Sequence, residues 1–147
     1  MKAKRLGRLL QNASLAGAYR TPEKSLGDLL AAAAACGFVV RRTKLLGASG
    51  KEGLMRSLAA ALDFPQWFGH NWDALADCLG DLSWLPAKGY LLILEDAADF
   101  CSRHEPECAT ALQLLGDAAD AWRAQRVPFW ALADVAPGRL PPLPASE

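Results

Sequence analysis

Apolar residues recur at two different spacings along the chain, and these divide it into helices and strands. Lys51 to Leu62 carries Leu54, Met55, Leu58, Ala61 and Leu62 three and four apart, the stripe of an amphipathic helix. Leu75, Cys78, Leu79 and Leu82 repeat the spacing and predict a helix over Asn71 to Leu82. A longer helix, entered at Pro106, is expected from Glu107 to Gln125, with Leu112, Leu115, Ala119 and Trp122 inward. Leu29 to Cys36 is alanine-rich and helical; Ser25-Leu26-Gly27-Asp28 resembles a capping box, and Gly37 is placed to end the helix left-handed. Asp96 to Cys101 suits one short helix. Tyr90 to Leu94 is apolar at every position, as expected of a strand buried on both faces. Further strands are expected from Phe38 toward Leu45 or Leu46, and from Val127 to Leu132. Pro128 has no amide to donate, so the last strand should start late or lie at an edge.

Strands alternating with helices predict an α/β fold: a three-stranded parallel sheet (38–45, 90–95, 128–133) packed with helices through right-handed crossovers. The expected division is a basic helical extension over 1–37, the α/β domain over 38–136 and a Pro-rich tail over 137–147. The 147 residues suit one domain, and 52% hydrophobic with 22% charged residues excludes a disordered chain. The longest apolar run, Leu29 to Val40, stops well short of the roughly 18 residues that span a bilayer. The basic start is followed by Gln11-Asn12 rather than an apolar stretch, which reads as a cytoplasmic protein. Four cysteines are too few for a disulfide scaffold and read as reduced thiols.

Charge changes this picture. The net charge is zero, yet residues 1–56 carry 11 of the 16 bases and residues 57–147 carry 13 of the 16 acids. Between Arg56 and Lys88 there is no Lys or Arg, while Asp63, Asp73, Asp77 and Asp81 lie there. On the predicted helix Asp73, Asp77 and Asp81 are four apart and share one edge, with no base to neutralise them. Such a row is either a solvated face or a surface for a cationic partner. Just before it, Trp67 and Phe68 flank Gly69, and Asn71 is a good N-cap. Gly69 is read as a site of positive φ or close backbone approach. Aromatic anchors beside carboxylates have the composition of an interface; alternatively both rings belong to the core.

The string Trp67-Phe68-Gly69-His70-Asn71-Trp72-Asp73-Ala74-Leu75-Ala76-Asp77-Cys78-Leu79 closely resembles the signature of the barstar family, intracellular inhibitors of barnase-type ribonucleases. The resemblance follows the element order from 38 to about 134 and is tight over 64–84. It implies a barstar-like three-stranded parallel sheet and a protein, monomeric when free and without cofactor, that neutralises a secreted or toxic ribonuclease by plugging its active site. Carried over, Asp77 takes the place of the substrate phosphate, Asp73 is a second charged contact, Trp67 and Phe68 supply aromatic contacts, and Gly69 and Asn71 shape the loop. A further acid near the end of the last long helix is implied, with Asp117 or Asp120 in position. The chain departs from the family in Ala76, where an aromatic is common, and in Trp67 and Phe68, where tyrosines are common. A barstar fold reused for a partner that is not a nuclease is the alternative.

Other constellations carry less. Cys101-x2-His104-x3-Cys108 offers three zinc-ligand types without a fourth, so no metal is expected. No phosphate loop, nucleophile elbow or HExxH accompanies the carboxylates, so no catalysis is expected. The acidic half opposes direct binding of nucleic acid, and nothing spans a membrane.

Overall fold

The apolar run at Tyr90–Glu95 becomes β3, and the sheet is built around it. The computed structural model describes residues 2–144; Met1 and the last three residues of the Pro-rich tail lie outside it. The elements are α1 (Lys2–Gln11), β1 (Ala18–Arg20), α2 (Leu26–Ala35), β2 (Val39–Lys44), α3 (Gly50–Ala61), α4 (Trp72–Asp81), β3, α5 (Ala97–Arg103), α6 (Glu105–Ala124) and β4 (Phe129–Ala133). The sheet has four strands, not three, in the order β1-β4-β3-β2, and every pairing is parallel.

The additional strand, β1, comes from the N-terminal segment. It is three residues long and only half-buried, so it carries no periodicity that the sequence could show. It is placed by its neighbour: Ala18, Tyr19 and Arg20 pair with Ala131, Leu132 and Ala133. β4 therefore lies inside the sheet. It does start late, after Pro128, whose carbonyl accepts from the Tyr90 amide at 2.9 Å.

Handedness then assigns the layers. The path β2 to β3 to β4 steps one way across the sheet, and right-handed crossovers put α3 to α6 on one face. The path β1 to β2 steps back across the sheet, so α2 falls on the opposite face with α1 beside it. Two cores result. Leu54, Leu58, Leu75, Leu79, Phe100, Leu115 and Phe129 belong to the first. Leu9, Leu10, Leu29, Ala33, Leu91, Ile93, Trp130 and Leu132 form the second. The Trp130 indole donates to the Leu10 carbonyl at 2.8 Å, tying α1 to the central sheet.

Two local expectations need correction. Ser25 makes no side-chain capping bond to α2, although Gly37 does end that helix left-handed at φ +79°. Cys101 and Cys108 are not reduced thiols but a disulfide. The junction between α5 and α6 is a single residue, His104, so α6 folds back on α5 and brings the two Cα atoms to 5.0 Å. Cys36 and Cys78 are free.

Candidate protein-binding site

The loop 62–71 and α4 form one surface. α4 starts where Asn71 Oδ1 accepts from the Ala74 amide at 2.8 Å, satisfying one of the first-turn donors. Asn71 Nδ2 donates back to the Gly69 carbonyl at 3.3 Å. Gly69 does not adopt positive φ; His70 does, at +53°. What Gly69 supplies is space, because a methyl there would lie 3.1 Å from Asn71 Nδ2 and press on the cap.

Asp73, Asp77 and Asp81 are exposed along α4, and none forms an ion pair or side-chain hydrogen bond with another described residue. Asp73 lies in the first turn, where the helix dipole favours an anion; Asp81 lies in the last, where it does not, and no base accompanies it. The opposite stripe, Leu75, Cys78 and Leu79, is buried. Burial pushes the Cys78 thiol above its usual range, and the Asp77 and Asp81 charges add to that.

The two aromatics part company. Trp67 is 65% exposed, whereas Phe68 is buried at 6% and packs edge-on against Phe64, with centroids 4.9 Å apart. Trp84, beyond the left-handed end of α4 at Leu82, stands edge-on to both Trp67 and Phe64 and donates its indole N–H to the Leu62 carbonyl at 2.9 Å. Trp84 thus props the exposed Trp67 ring. It lies outside the quoted 67–79 string, and no spacing in the sequence links it to Trp67.

Two further residues fix the loop to α3. His70 Nδ1 donates to Glu52 Oε1 at 2.9 Å while its ring packs on Phe68. That hydrogen bond, opposed by desolvation and aided by the charges of His70, Arg56 and Lys51, holds the Glu52 carboxyl below its ordinary value. Lys51 stands 6.0 Å over the Trp72 ring. The two arginines of β2 are engaged, Arg41 with Asp63 and Arg42 with Glu95, while Lys44 at its end is exposed.

Asp117 is not brought to this surface. It accepts from Gln113 and lines a groove with Gly17, Tyr19 and Leu140 on the β1 side of α6. Trp122, which faces α4 and donates to the Leu79 carbonyl at 2.8 Å, is about 140° around the helix from Asp117. Asp120, the other position considered, is paired with Arg123. Cys101 and Cys108 are joined to each other, and His104 Nε2 accepts from the Gly50 amide at 3.1 Å, so this trio is engaged within the fold.

Among the described residues, no helix is long and apolar enough to cross a membrane. A search of curated proteins finds no match to the chain. The family model described as Barstar (barnase inhibitor) matches residues 38–134. That span runs from the residue before β2 to the residue after β4, holds the whole loop-and-helix surface and makes up well over half of the sequence; the chain belongs to the barstar family.

Proposed function

We propose that the chain is a protein inhibitor of a cationic ribonuclease, acting by occlusion and not as an enzyme. The observation that carries this reading is the row of exposed, unpaired carboxylates on α4 beside the exposed Trp67 ring. Like charges four apart destabilise a helix by a few tenths of a kcal/mol per pair, or about as much as a good pair stabilises it. A cationic cleft closing over them reverses the sign of that contribution. A carboxylate offers two acceptor oxygens to arginine, lysine and histidine groups arranged for a phosphate, so Asp77 mimics the substrate anion and Asp73 adds a second contact. Trp67 supplies the aromatic contact. Phe68 supports the loop from beneath, Gly69 and Asn71 hold its shape, and Asp117 takes no part. The setting we propose is the cytoplasm, with the inhibitor a monomer when free. A disulfide is unusual there, but Cys101 and Cys108 are both buried, which shields their bond from thiol reductants.

Titration of a basic barnase-type ribonuclease tests the reading. Wild type inhibits at one-to-one stoichiometry, and Asp77→Ala weakens inhibition by at least about 30-fold, the loss of one buried charge pair, in a range that the barnase–barstar pair itself helped to set. Equal inhibition by the two proteins removes Asp77 from its role. No inhibition by wild type, together with recovery of a different protein through the α4 face, replaces the nuclease with another partner.

A further inference from the structure

The two edges of the sheet end differently. At β1 the chain covers its own edge: the Arg20 amide donates to the Pro141 carbonyl at 2.8 Å, and Pro141 and Pro142 have no N–H with which to extend a ladder. β2 is the opposite edge. Its register with β3 begins at Val39 and Tyr90, and the Val39 and Leu45 amides donate to the Gly89 and Glu95 carbonyls at 3.0 and 2.8 Å. Alternate residues of a parallel strand bond to the same neighbour. Val39, Arg41, Thr43 and Leu45 therefore face β3, and the main-chain groups of Val40, Arg42 and Lys44 point outward. Among the described residues, none of these outward N–H and C=O groups has a hydrogen-bond partner. An uncovered edge strand is a template for another strand.

The side chains narrow the choice of strand. Val40, Arg42 and Lys44 share one face of β2, and Val40 packs on the second core there. Lys44 is exposed and has no partner among the described residues. Arg42 is 47% exposed and meets Glu95 through one terminal nitrogen, which leaves the rest of its donor fork open. A second copy of the chain fits this edge badly. Antiparallel pairing about a two-fold axis through the middle of β2 sets arginine against arginine, and like charges directly opposite destabilise a ladder. A strand with acids at those places gains where the copy loses.

We propose that the open edge of β2 binds an extended acidic segment of a partner protein as a fifth strand, with carboxylates beside Arg42 and Lys44 and an apolar side chain beside Val40. The partner's main chain takes up the outward groups of Val40, Arg42 and Lys44, which recur about every 7 Å, the two-residue repeat of a strand. Main-chain bonds supply the affinity, and alternate side chains supply the selection. Antiparallel addition is favoured, its ladder being slightly the more stable. This surface shares no residue with the loop and α4, so it stands whatever α4 binds.

Amide NMR of the full chain tests the proposal. In the free protein Val40, Arg42 and Lys44 should exchange fast, and Val39, Arg41 and Thr43 slowly. The chain is then titrated with the blocked peptide Thr-Glu-Thr-Glu-Thr-Val-Thr and with its counterpart carrying lysine for glutamate. Saturable shifts at Val40, Arg42 and Lys44 are expected with the acidic peptide, at least about ten-fold tighter than with the basic one, since two attractive cross-strand pairs become repulsive. Lys44→Gln should weaken binding about three-fold by removing one charge. Lys44→Pro also removes an outward N–H while sparing the bonds to β3, and should weaken it about five-fold more. No saturable shift along β2, equal binding of the two peptides, or a folded Lys44→Pro that binds like Lys44→Gln would each overturn the proposal. So would a dimer in sedimentation whose Val40, Arg42 and Lys44 amides are protected without peptide, which assigns the edge to a second copy. An unfolded Lys44→Pro leaves the decision to Lys44→Gln, the location of the shifts and the peptide ranking.

Discussion

Two glycines, one before the acidic row and one within it, act in opposite ways. Gly69 leaves room for the Asn71 amide, so Gly69→Ala pushes that amide off its cap and should cost about 1 kcal/mol, the usual worth of an N-cap. Gly80 lies within α4 with open space where a methyl would go. Gly80→Ala should therefore stabilise the protein by about 0.5–1 kcal/mol through helix propensity alone. Urea denaturation of both variants checks the pair; a stabilising Gly69→Ala would show that the cap does not depend on that space. The sequence pointed to Gly69 and Asn71 but misassigned the reason. Positive φ belongs to His70, and a left-handed histidine has no signal of its own. The split between Trp67 and Phe68 was equally invisible, because which ring is covered depends on how Phe64 packs within the loop and on Trp84, which reaches the loop only through the fold.

α4 was legible because it is regular: its stripe, its N-cap and its acidic edge are each set by residues three or four apart. The loop before it is held by a contact between elements, His70 to Glu52 on α3, across 18 positions that no periodicity relates. This contact has a pH signature. The Glu52 carboxyl, ordinarily at 4.5, is depressed in the folded chain chiefly by the His70 hydrogen bond. A carboxyl with a depressed folded value contributes stability above its unfolded value and loses it as pH falls through the folded one. Amide-exchange protection in the loop, at Gly69 to Asn71, should therefore be fully present above pH 4.5 and decline below it. Glu52→Gln should flatten that decline; an unchanged pH profile in the variant would show that another group holds the loop. The disulfide was missed for a similar reason. A sequence separation of seven between cysteines says little until a one-residue junction folds α6 against α5.

Across the whole molecule the charge asymmetry of the sequence becomes a difference between faces. Lys4, Arg5 and Arg8 are exposed on α1, on one side of the sheet, and Asp73, Asp77 and Asp81 on α4, on the other, while the arginines of β2 are consumed in ion pairs. Association with a cationic nuclease should therefore slow steeply as salt rises, with dissociation much less affected, because steering acts beyond contact distance and is screened within about 10 Å at moderate salt. A salt-independent association rate in stopped flow would exclude steering by the α4 face. Three of the four strands and the helices on the α3–α6 face could be read from alternation of strand and helix. The cover on its other face could not, because α1 and α2 are alanine- and base-rich segments whose few leucines gain meaning only against β3 and β4. Leu10 and Leu29 are fully buried there, packed with Leu91, Ile93, Trp130 and Leu132, and the Trp130 indole has the Leu10 carbonyl as its acceptor. A chain beginning at residue 38, where the family match begins, would retain α4 and its carboxylates but expose this apolar sheet face and leave the indole N–H unpaired. Contiguous apolar area of that kind drives self-association. The truncated chain should lose β1 as the fourth strand, bind a hydrophobic dye and sediment as oligomers, and its thermal midpoint should fall well below that of the full chain. A truncated monomer with an unchanged midpoint would show that residues 1–37 rest on the sheet without stabilising it.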